Sequence, residues 1–313
     1  DQHPHRSMNL SEAKVLSSAH PPSRAIINAP ESQPRMSLRE NEPAAPRSAN
    51  LAPILAEAVA VARDAGTLLR ELFCKPRDVG YKGRIDLVTD ADRAAEELIL
   101  ERLSRAFPDH GLLAEESAGG RVGRPEPLPR FLWVVDPLDG TTNYAHGYPC
   151  FCTSVALESE GKVVLGAIYD PLLDELFTAQ QGHGAFHNGE RISVSLSKRL
   201  TEALICTGFP YDLRESAVNN VDHFNNFIME AQAVRRDGSA ALDLCYVAAG
   251  RFDGFWELKL NPWDVAAGTL IVTEAGGMVT DFKGGPLDIY GQETLATNGK
   301  IHEEMIGVLG RRG

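Results

Sequence analysis

Cysteine is scarce in this sequence and is not spaced for bridging or for holding zinc. The five residues form an odd set without CxxC or cysteine/histidine ligand spacing: Cys74, Cys150, Cys152, Cys206 and Cys245. Neither a disulfide scaffold nor a zinc site is therefore indicated. We expect reduced and mostly buried thiols, as is usual for free cysteine.

Long apolar runs are also missing. No uncharged stretch approaches the roughly 20 residues that a membrane-spanning helix needs. The composition, 43% hydrophobic and 24% charged, is that of an ordinary globular chain. We expect a soluble, cytoplasmic protein with no membrane partner.

Positive charge is in deficit. Lysine and arginine number 31 against 43 aspartates and glutamates, a formal charge of −12, which repels a phosphate backbone and argues against a nucleic-acid partner. A small phosphorylated substrate would meet the same repulsion unless some carboxylates hold divalent cations, which invert the local field. The acidic excess thus favours metal sites.

The chain divides into two parts by composition. Residues 1–49 are rich in proline, serine and arginine and lack a hydrophobic period, which predicts a disordered N-terminal extension. This segment lacks the continuous apolar stretch of a secretory signal peptide, and an organelle transit peptide is the alternative interpretation. Residues 50–313 are expected to form the folded domain, with two lobes over roughly 50–190 and 191–313.

Hydrophobic spacing in the second part alternates between helical and extended patterns. Helices are predicted from Leu51 to Phe73, from Thr89 to Phe107, between Leu213 and Ala231, and after Gly238 and Pro262. Short apolar runs between turns predict strands over Gly111–Ala114, Phe131–Val135, Phe151–Leu157, Val163–Tyr169, Glu175–Ala179 and Ala203–Thr207, with a hairpin turn at Asn188-Gly189. The fold class predicted is α/β or α+β.

The octapeptide Asp136–Asn143 (DPLDGTTN) directly follows an apolar strand. Asp136 and Asp139 would lie on the turn that leaves this strand, while Thr141 could open a short helix whose first amides suit a phosphate. A β-turn rich in aspartate and glycine is the alternative for this piece taken alone.

Further carboxylates follow other short elements. Glu115 and Glu116 end a predicted strand, and the alternative for them is an ordinary exposed turn. Asp264 lies in the first turn of a predicted helix, where its favourable interaction with the helix dipole could by itself explain an acidic residue. Magnesium is bound by oxygen ligands, and carboxylates at the ends of several strands could together form such a site. Two such ions can activate a water and stabilise a leaving oxygen.

In combination these motifs resemble the inositol monophosphatase family, over nearly everything after residue 50. The resemblance rests on DPLDGTTN and on six further pieces in the same order: Asp86-Leu-Val-Thr89-x-x-Asp92, Glu115-Glu116-Ser117, Gly238-Ser239-Ala240, Glu257, Trp263-Asp264 with Ala266-Ala267-Gly268, and Glu274–Gly277. It implies a layered α-β-α-β-α sandwich, a homodimer, two to three Mg²⁺ ions per site with Mn²⁺ as a possible substitute, and inhibition by lithium.

The resemblance also implies roles for individual residues. Glu115, Asp136 and the Leu138 carbonyl would hold the first metal, and Asp136, Asp139 and Asp264 the second. Asp92 would be an outer ligand of a third metal and, with Thr141, would orient the nucleophilic water; an exposed helix-terminal acid is the alternative for Asp92. Phosphate and substrate hydroxyls would meet the remaining set: Asp139, Gly140, Thr141, Gly238, Ala240, Glu257 and Asp264.

The implied activity is hydrolysis of a phosphomonoester by metal-activated water, with myo-inositol 1-phosphate as the favoured substrate of a bacterial-type enzyme. Fructose 1,6-bisphosphate, histidinol phosphate, nucleotide 3′-phosphates and NADP are the alternatives within the superfamily. A regulatory protein of the transcription machinery is the alternative from another class. The pair Arg235-Arg236 could contact an anionic substrate or a partner subunit, or be solvated.

Overall fold

The computed structural model describes residues 51–73, 79–81, 87–120 and 122–311. The predicted disordered extension over residues 1–49, together with Cys74 and Asp86, lies outside the described residues. The division into two lobes stays a prediction.

The helices follow the apolar periodicity of the sequence. The first one, predicted from Leu51 to Phe73, buries its Ala58, Val61, Ala62, Ala65 and Leu69 face, as the helical spacing requires. Among the described residues, no helix has the combination of length and apolar character that a bilayer crossing demands. The helical segments are α1 (Ala52–Phe73), α2 (Asp90–Ala106), α3 (Glu115–Ala118), α4 (Thr141–His146), α5 (Val221–Ile228), α6 (Ala240–Ala248), α7 (Pro262–Glu274) and α8 (His302–Leu309).

The strands form two large sheets and one small ribbon. The ribbon pairs β1 (Val79–Tyr81) with β2 (Leu87–Thr89). A seven-stranded sheet has the sequential order β3 to β9: Gly111–Ala114, Phe131–Asp139, Cys152–Ser159, Lys162–Asp170, Glu175–Gln180, Gly184–His187 and Glu190–Arg191. A five-stranded sheet has the order β11-β10-β12-β14-β13, from Leu204–Thr207 (β10), Ala233–Arg235 (β11), Gly254–Leu258 (β12), Met278–Thr280 (β13) and Glu293–Thr297 (β14).

Helices and sheets stack in five layers, which confirms the predicted sandwich. Helices α1 and α2 cover one face of the seven-stranded sheet, and α6 and α7 pack between the two sheets. Residues of α5 and α8 share a third hydrophobic cluster with the outer face of the five-stranded sheet. The central strands are therefore buried on both faces, which is why β4 and β6 read as largely apolar runs, whereas the edge strand β9 is exposed.

Strand β4 shows how one segment serves two cores. Leu132 and Val134 point into the cluster that surrounds α6 and α7, whereas Trp133 and Val135 point into the cluster beneath α1 and α2. This alternation is the two-residue period of an extended chain. All four side chains are at most 2% exposed, so β4 is anchored firmly in the core just before the octapeptide Asp136–Asn143, whose first four residues complete the strand.

The helix predicted between Leu213 and Ala231 is wrong in extent, because only Val221–Ile228 is helical. Asn220 interrupts it with a left-handed backbone at φ 73°. The Asn220 side chain is buried and accepts a hydrogen bond of 2.8 Å from the Trp256 indole, while donating one of 2.9 Å to Thr207 Oγ1. These core contacts hold the backbone in a conformation that no helix permits. The four described cysteines are free thiols, as predicted.

Candidate active site

Asp136 and Asp139 approach each other because β4 carries one extra residue. In a regular strand, residues three apart face opposite sides of the sheet. Here Asp136 pairs with Ser154 and Asp139 pairs with Cys152, so three steps along β4 match two along β5. The resulting bulge brings both carboxylates to the same place. Pro137 lies inside the bulge, where a residue without a backbone N–H is tolerated because the regular hydrogen bonding between the strands is interrupted there. The prediction that the strand ends at Val135 is therefore wrong: it continues through Asp139.

Helix α7 delivers a third carboxylate to this place. Asp264 is the third residue of the helix, where it closes a capping box by accepting the Asn261 amide at 2.7 Å, and Pro262 opens the first turn. One oxygen from each of Asp136, Asp139 and Asp264 lies within 4.8 Å of the other two. The tertiary structure thus gathers three predicted metal ligands.

Burial and mutual repulsion act on these carboxyl groups. Removal from water, and then the charges of Glu115, Asp139 and Asp264, hold the pKa of Asp136 well above its usual range. Burial and then the charge of Glu115 raise the pKa of Asp264 in the same way. Burial also raises the pKa of Asp139, opposed by its hydrogen bond from Ser239. Acids that raise one another's pKa favour a cation between them.

Glu115 adjoins this trio without belonging to its tightest group. It is the first residue of α3 and is half-buried. Its carboxyl group lies close enough to that of Asp136 to help raise the Asp136 pKa. The structure therefore places this predicted ligand of the first metal next to Asp136, which is predicted to contact both metals.

Asp92 and Thr141 form a pair at the back of the site. Asp92 is completely buried, so the alternative of an exposed helix-terminal acid is wrong. Its Oδ2 accepts the Thr89 amide at 2.8 Å, and Thr141 Oγ1 lies 2.8 Å from its Oδ1. Thr141 Oγ1 is also 3.0 Å from the Leu138 carbonyl oxygen. A single hydroxyl proton thus lies between two oxygens predicted to be metal ligands.

Helix α4 begins at Thr141, as the octapeptide predicts, and Gly140 is its N-cap. The Gly140 φ of 97° is in the left-handed region, and a Cβ there would lie 2.8 Å from the Cys150 carbonyl oxygen. Only glycine fits both conditions. Asn143 in the same helix donates to the carbonyl oxygens of Cys150 and Asp237, each at 2.8 Å, and so joins the octapeptide to the turn before α6.

The amino-terminal end of α6 holds Asp139 in place. Ser239, the N-cap of this helix, donates its hydroxyl to Asp139 Oδ2 at 2.5 Å, and the Ala241 amide donates to the same oxygen at 2.9 Å. A carboxylate at a helix N-terminus is favoured by charge as well as by hydrogen bonding. Ser239 was visible in the sequence only as part of the Gly238-Ser239-Ala240 motif, without this role.

A small polar cleft of about 130 Å³ opens beside these groups. Of the predicted substrate-binding residues, Asp139, Gly140, Gly238, Ala240, Glu257 and Asp264 line it. Thr141 is buried behind them. Arg236 also lines the cleft, which identifies the member of the arginine pair that faces the site.

Glu257 is buried in the wall of the cleft, not on the surface. Its side chain is 8% exposed, and burial followed by the charges of Asp264 and Asp139 raises its pKa well above the usual range. Gly208 makes room for it, since a Cβ at that position would lie 2.2 Å from Glu257 Oε1. Sequence reasoning missed Gly208, although a lone glycine just after strand β10 is a signal of close approach.

The donor set suits a hard divalent cation. Carboxylate and carbonyl oxygens are the ligands that Mg²⁺ and similar ions prefer, and they are the groups that converge here. Together with the layered fold, an oxygen-only site beside a small polar cleft is typical of metal-dependent phosphatases.

Comparison with known proteins identifies the family. A model of the inositol monophosphatase family matches residues 50–311. An inositol-1-monophosphatase of Synechocystis is 47% identical over 77% of this chain and 83% of its own length. A Salmonella typhimurium protein named Nus factor SuhB is 41% identical over 81% of this chain and 94% of its own. The inositol monophosphatase structure from Anabaena superposes with a TM-score of 0.75 at 45% identity, covering 83% and 96% of the two chains.

The chain therefore belongs to the inositol monophosphatase family. The family predicted from the motifs is confirmed, and with it the layered fold and the enzyme class of phosphatase.

Proposed function

We propose that this phosphatase hydrolyses myo-inositol 1-phosphate, or a similar small polyol phosphate, to the free alcohol and phosphate with Mg²⁺ as cofactor. The observation that carries the proposal is Glu257, a buried carboxylate that shares the cleft with Asp139 and Asp264. A buried acceptor needs hydrogen-bond donors, and the hydroxyl groups of a polyol supply them. The name of the Synechocystis relative agrees with this substrate class.

The cations would be held by the gathered oxygens. Glu115, Asp136 and the Leu138 carbonyl are assigned to the first ion, Asp136, Asp139 and Asp264 to the second, and Asp92 to the outer shell of a third. Bound Mg²⁺, or Mn²⁺ in its place, would supply the Lewis acidity that activates water and offsets the charge of the phosphate.

Asp92 and Thr141 would orient the attacking water. The Thr141 hydroxyl lies between Asp92 Oδ1 and the Leu138 carbonyl, so it can turn its proton toward either and accept one from a water. Both partners are completely buried, Asp92 on α2 and Leu138 on β4, which favours a fixed geometry.

The substrate would lie across the helix ends at the mouth of the cleft. The amides of Gly140 and Thr141 would receive the phosphate, and Gly238, Ala240 and Glu257 would meet the hydroxyl groups. Arg236 adds a positive charge to the same cleft. It would offset part of the repulsion between an anionic substrate and a chain of net charge −12.

A second candidate function is association with the transcription machinery, which the name Nus factor SuhB of the Salmonella relative favours. All four carboxylates assigned to the first two metals are present in this chain, which favours catalysis as well. Asp136→Asn protein used as bait in a lysate would separate the two roles, because partner binding should survive the loss of a metal ligand. The homodimer and the cytoplasmic location stay predictions.

The test of the proposed function is phosphate release from myo-inositol 1-phosphate with and without Mg²⁺, beside Asp136→Asn. Magnesium-dependent turnover that the variant loses by about 10³-fold or more would support it, since a bridging charge would be gone. The preferred substrate is then identified by measuring kcat/KM for the alternative phosphomonoesters under the same conditions. A competitor with kcat/KM about tenfold higher, a difference of about 1.4 kcal/mol in transition-state stabilisation, would displace the inositol phosphate.

A further inference from the structure

Helix α2 carries two buried carboxylates, one turn apart, on the face turned toward the site. Asp92 is completely buried and Glu96 is 5% exposed. Residues four apart lie above one another on the same side of a helix. Asp92 belongs to the proposed active site, whereas Glu96 is not among the proposed metal or substrate ligands.

Both oxygens of Glu96 bind the short helix α3. Oε2 accepts the Glu116 amide at 2.8 Å, and Oε1 accepts the Ser117 hydroxyl. The N-cap of α3 is Ala114, whose side chain cannot cap it. Glu96 therefore supplies from α2 the acceptors that the first turn of α3 lacks.

This contact determines where Glu115 points. A helix of four residues has no stability of its own in water, so α3 depends on contacts from outside. The Glu116 amide is joined directly to the Glu115 carbonyl carbon, and holding it fixes the peptide plane that follows Glu115. The Glu115 side chain, which reaches the Asp136 carboxyl group, is aimed by that plane.

We propose that Glu96 is a positioning residue for Glu115, acting through the backbone of α3 on the affinity of the first metal site. The inference rests on the proposed function, since it takes Glu115 to be a metal ligand. Groups that hold metal ligands in place commonly change affinity by about 10- to 100-fold when removed. A purely structural link between α2 and α3 would instead change thermal stability and leave the affinity for the ion unaltered.

The experiment compares the full chain with Glu96→Ala, Glu96→Gln and Glu97→Ala. Glu97 is exposed on the same helix and provides the matched control. Metal-stripped protein is titrated with MgCl₂ while the melting temperature is recorded, which follows ion binding without turnover. The Mg²⁺ dependence of kcat and KM is measured in parallel.

Glu96→Ala is expected to need about tenfold more Mg²⁺ for half of its thermal shift, with kcat recovering and KM unchanged once Mg²⁺ is saturating. Glu96→Gln should rescue most of the affinity, since its oxygen can accept the Glu116 amide while its NH₂ group donates to Ser117. Glu97→Ala should match the parent. If Glu96→Ala fails to fold, Glu96→Asp replaces it in the experiment. The shorter aspartate moves the carboxylate away from the Glu116 amide and the Ser117 hydroxyl, so this variant should also need about tenfold more Mg²⁺.

Equal Mg²⁺ midpoints in parent and variant, with only the metal-free melting temperature lowered, would overturn the positioning role while leaving the metal site intact. If the melting temperature of the parent protein does not change with Mg²⁺, the proposed metal site is wrong, and the inference about Glu96 fails with it.

Discussion

Thr141 Oγ1 lies 2.8 Å from Asp92 Oδ1, although 49 residues separate the two in the chain. The contact joins the first turn of α2 to the first turn of α4, and both partners are buried. It connects a helix of the outer layer with the octapeptide at the end of β4, where the proposed chemistry takes place.

Replacing Thr141 with valine tests this pair. Valine keeps the β-branched shape but removes the hydroxyl, so kcat should fall by about 100-fold, the lower end for loss of a proton-transfer group. Thr141→Ser keeps the hydroxyl and should retain most of the activity. Steady-state kinetics at saturating Mg²⁺ measure both, and a valine variant with parental kcat would remove Thr141 from the reaction.

The buried carboxyl groups predict a pH-dependent stability in the absence of metal. Asp136, Asp264 and Asp243 have pKa values raised chiefly by burial, so the folded state binds more protons than the unfolded one. Their contribution is present below about pH 4 and is lost as pH rises through the raised pKa values. Saturation with Mg²⁺ at about 100 times its Kd should restore about 2.7 kcal/mol.

Asp243→Asn is the control for this dependence, since Asp243 is not among the proposed metal ligands. In EDTA its melting temperature should fall less steeply with rising pH than that of the parent, and its response to Mg²⁺ should persist. The histidines with lowered pKa, His110, His223 and His302, are common to both proteins and cancel in the difference. Parallel pH profiles of the two proteins would show that Asp243 does not contribute.

Glu257→Gln tests the assignment of substrate recognition. Loss of the charged acceptor should lower kcat/KM for myo-inositol 1-phosphate by about 10- to 100-fold, equivalent to the 1.5–3 kcal/mol of a charged hydrogen bond. Hydrolysis of p-nitrophenyl phosphate, which has no hydroxyl group to recognise, should change far less. Equal losses on both substrates would mean that Glu257 serves the metal site and not the alcohol.

Lithium should inhibit turnover at millimolar concentration when Mg²⁺ is subsaturating. It is a small, hard cation that takes oxygen ligands, and the family resemblance implies that it occupies a magnesium position. Initial rates at several Mg²⁺ concentrations check this, with sodium chloride at the same ionic strength as the control. Unchanged turnover in lithium would contradict the implied sensitivity.

The packing between the sheets predicts a stability effect at Gly166. A Cβ there would lie 2.9 Å from Ala267 Cα, so β6 and α7 touch through their backbones. Gly166→Ala should lower the free energy of unfolding by about 1–3 kcal/mol through overpacking. Gly307→Ala in α8, where nothing lies within 4 Å of the added carbon, should raise it by about 0.5–1 kcal/mol. Urea unfolding measures both, and a neutral Gly166→Ala would show that the layers can separate.

Several elements were predictable because their causes are local. Helix α2 begins after Thr89 and ends before Pro108, and the hairpin turn at Asn188-Gly189 has the positive φ values expected of it, 48° and 84°. The α5 segment was predicted too long because the backbone of Asn220 is set by its distant partner Trp256. The local sequence preferences of this segment cannot predict that contact, because Trp256 lies 36 residues further along the chain.

The chemistry of the site follows a similar division. The octapeptide together with the six further motifs was enough to indicate the family, because that combination in that order is far more specific than any single piece. The bulge that turns Asp136 and Asp139 to the same side, the room that Gly208 leaves for Glu257, and the hold of Glu96 on α3 all depend on elements far apart in the chain. Such contacts form only when the layers pack, since their energies come from shape, burial and long-range pairing rather than from neighbours in sequence.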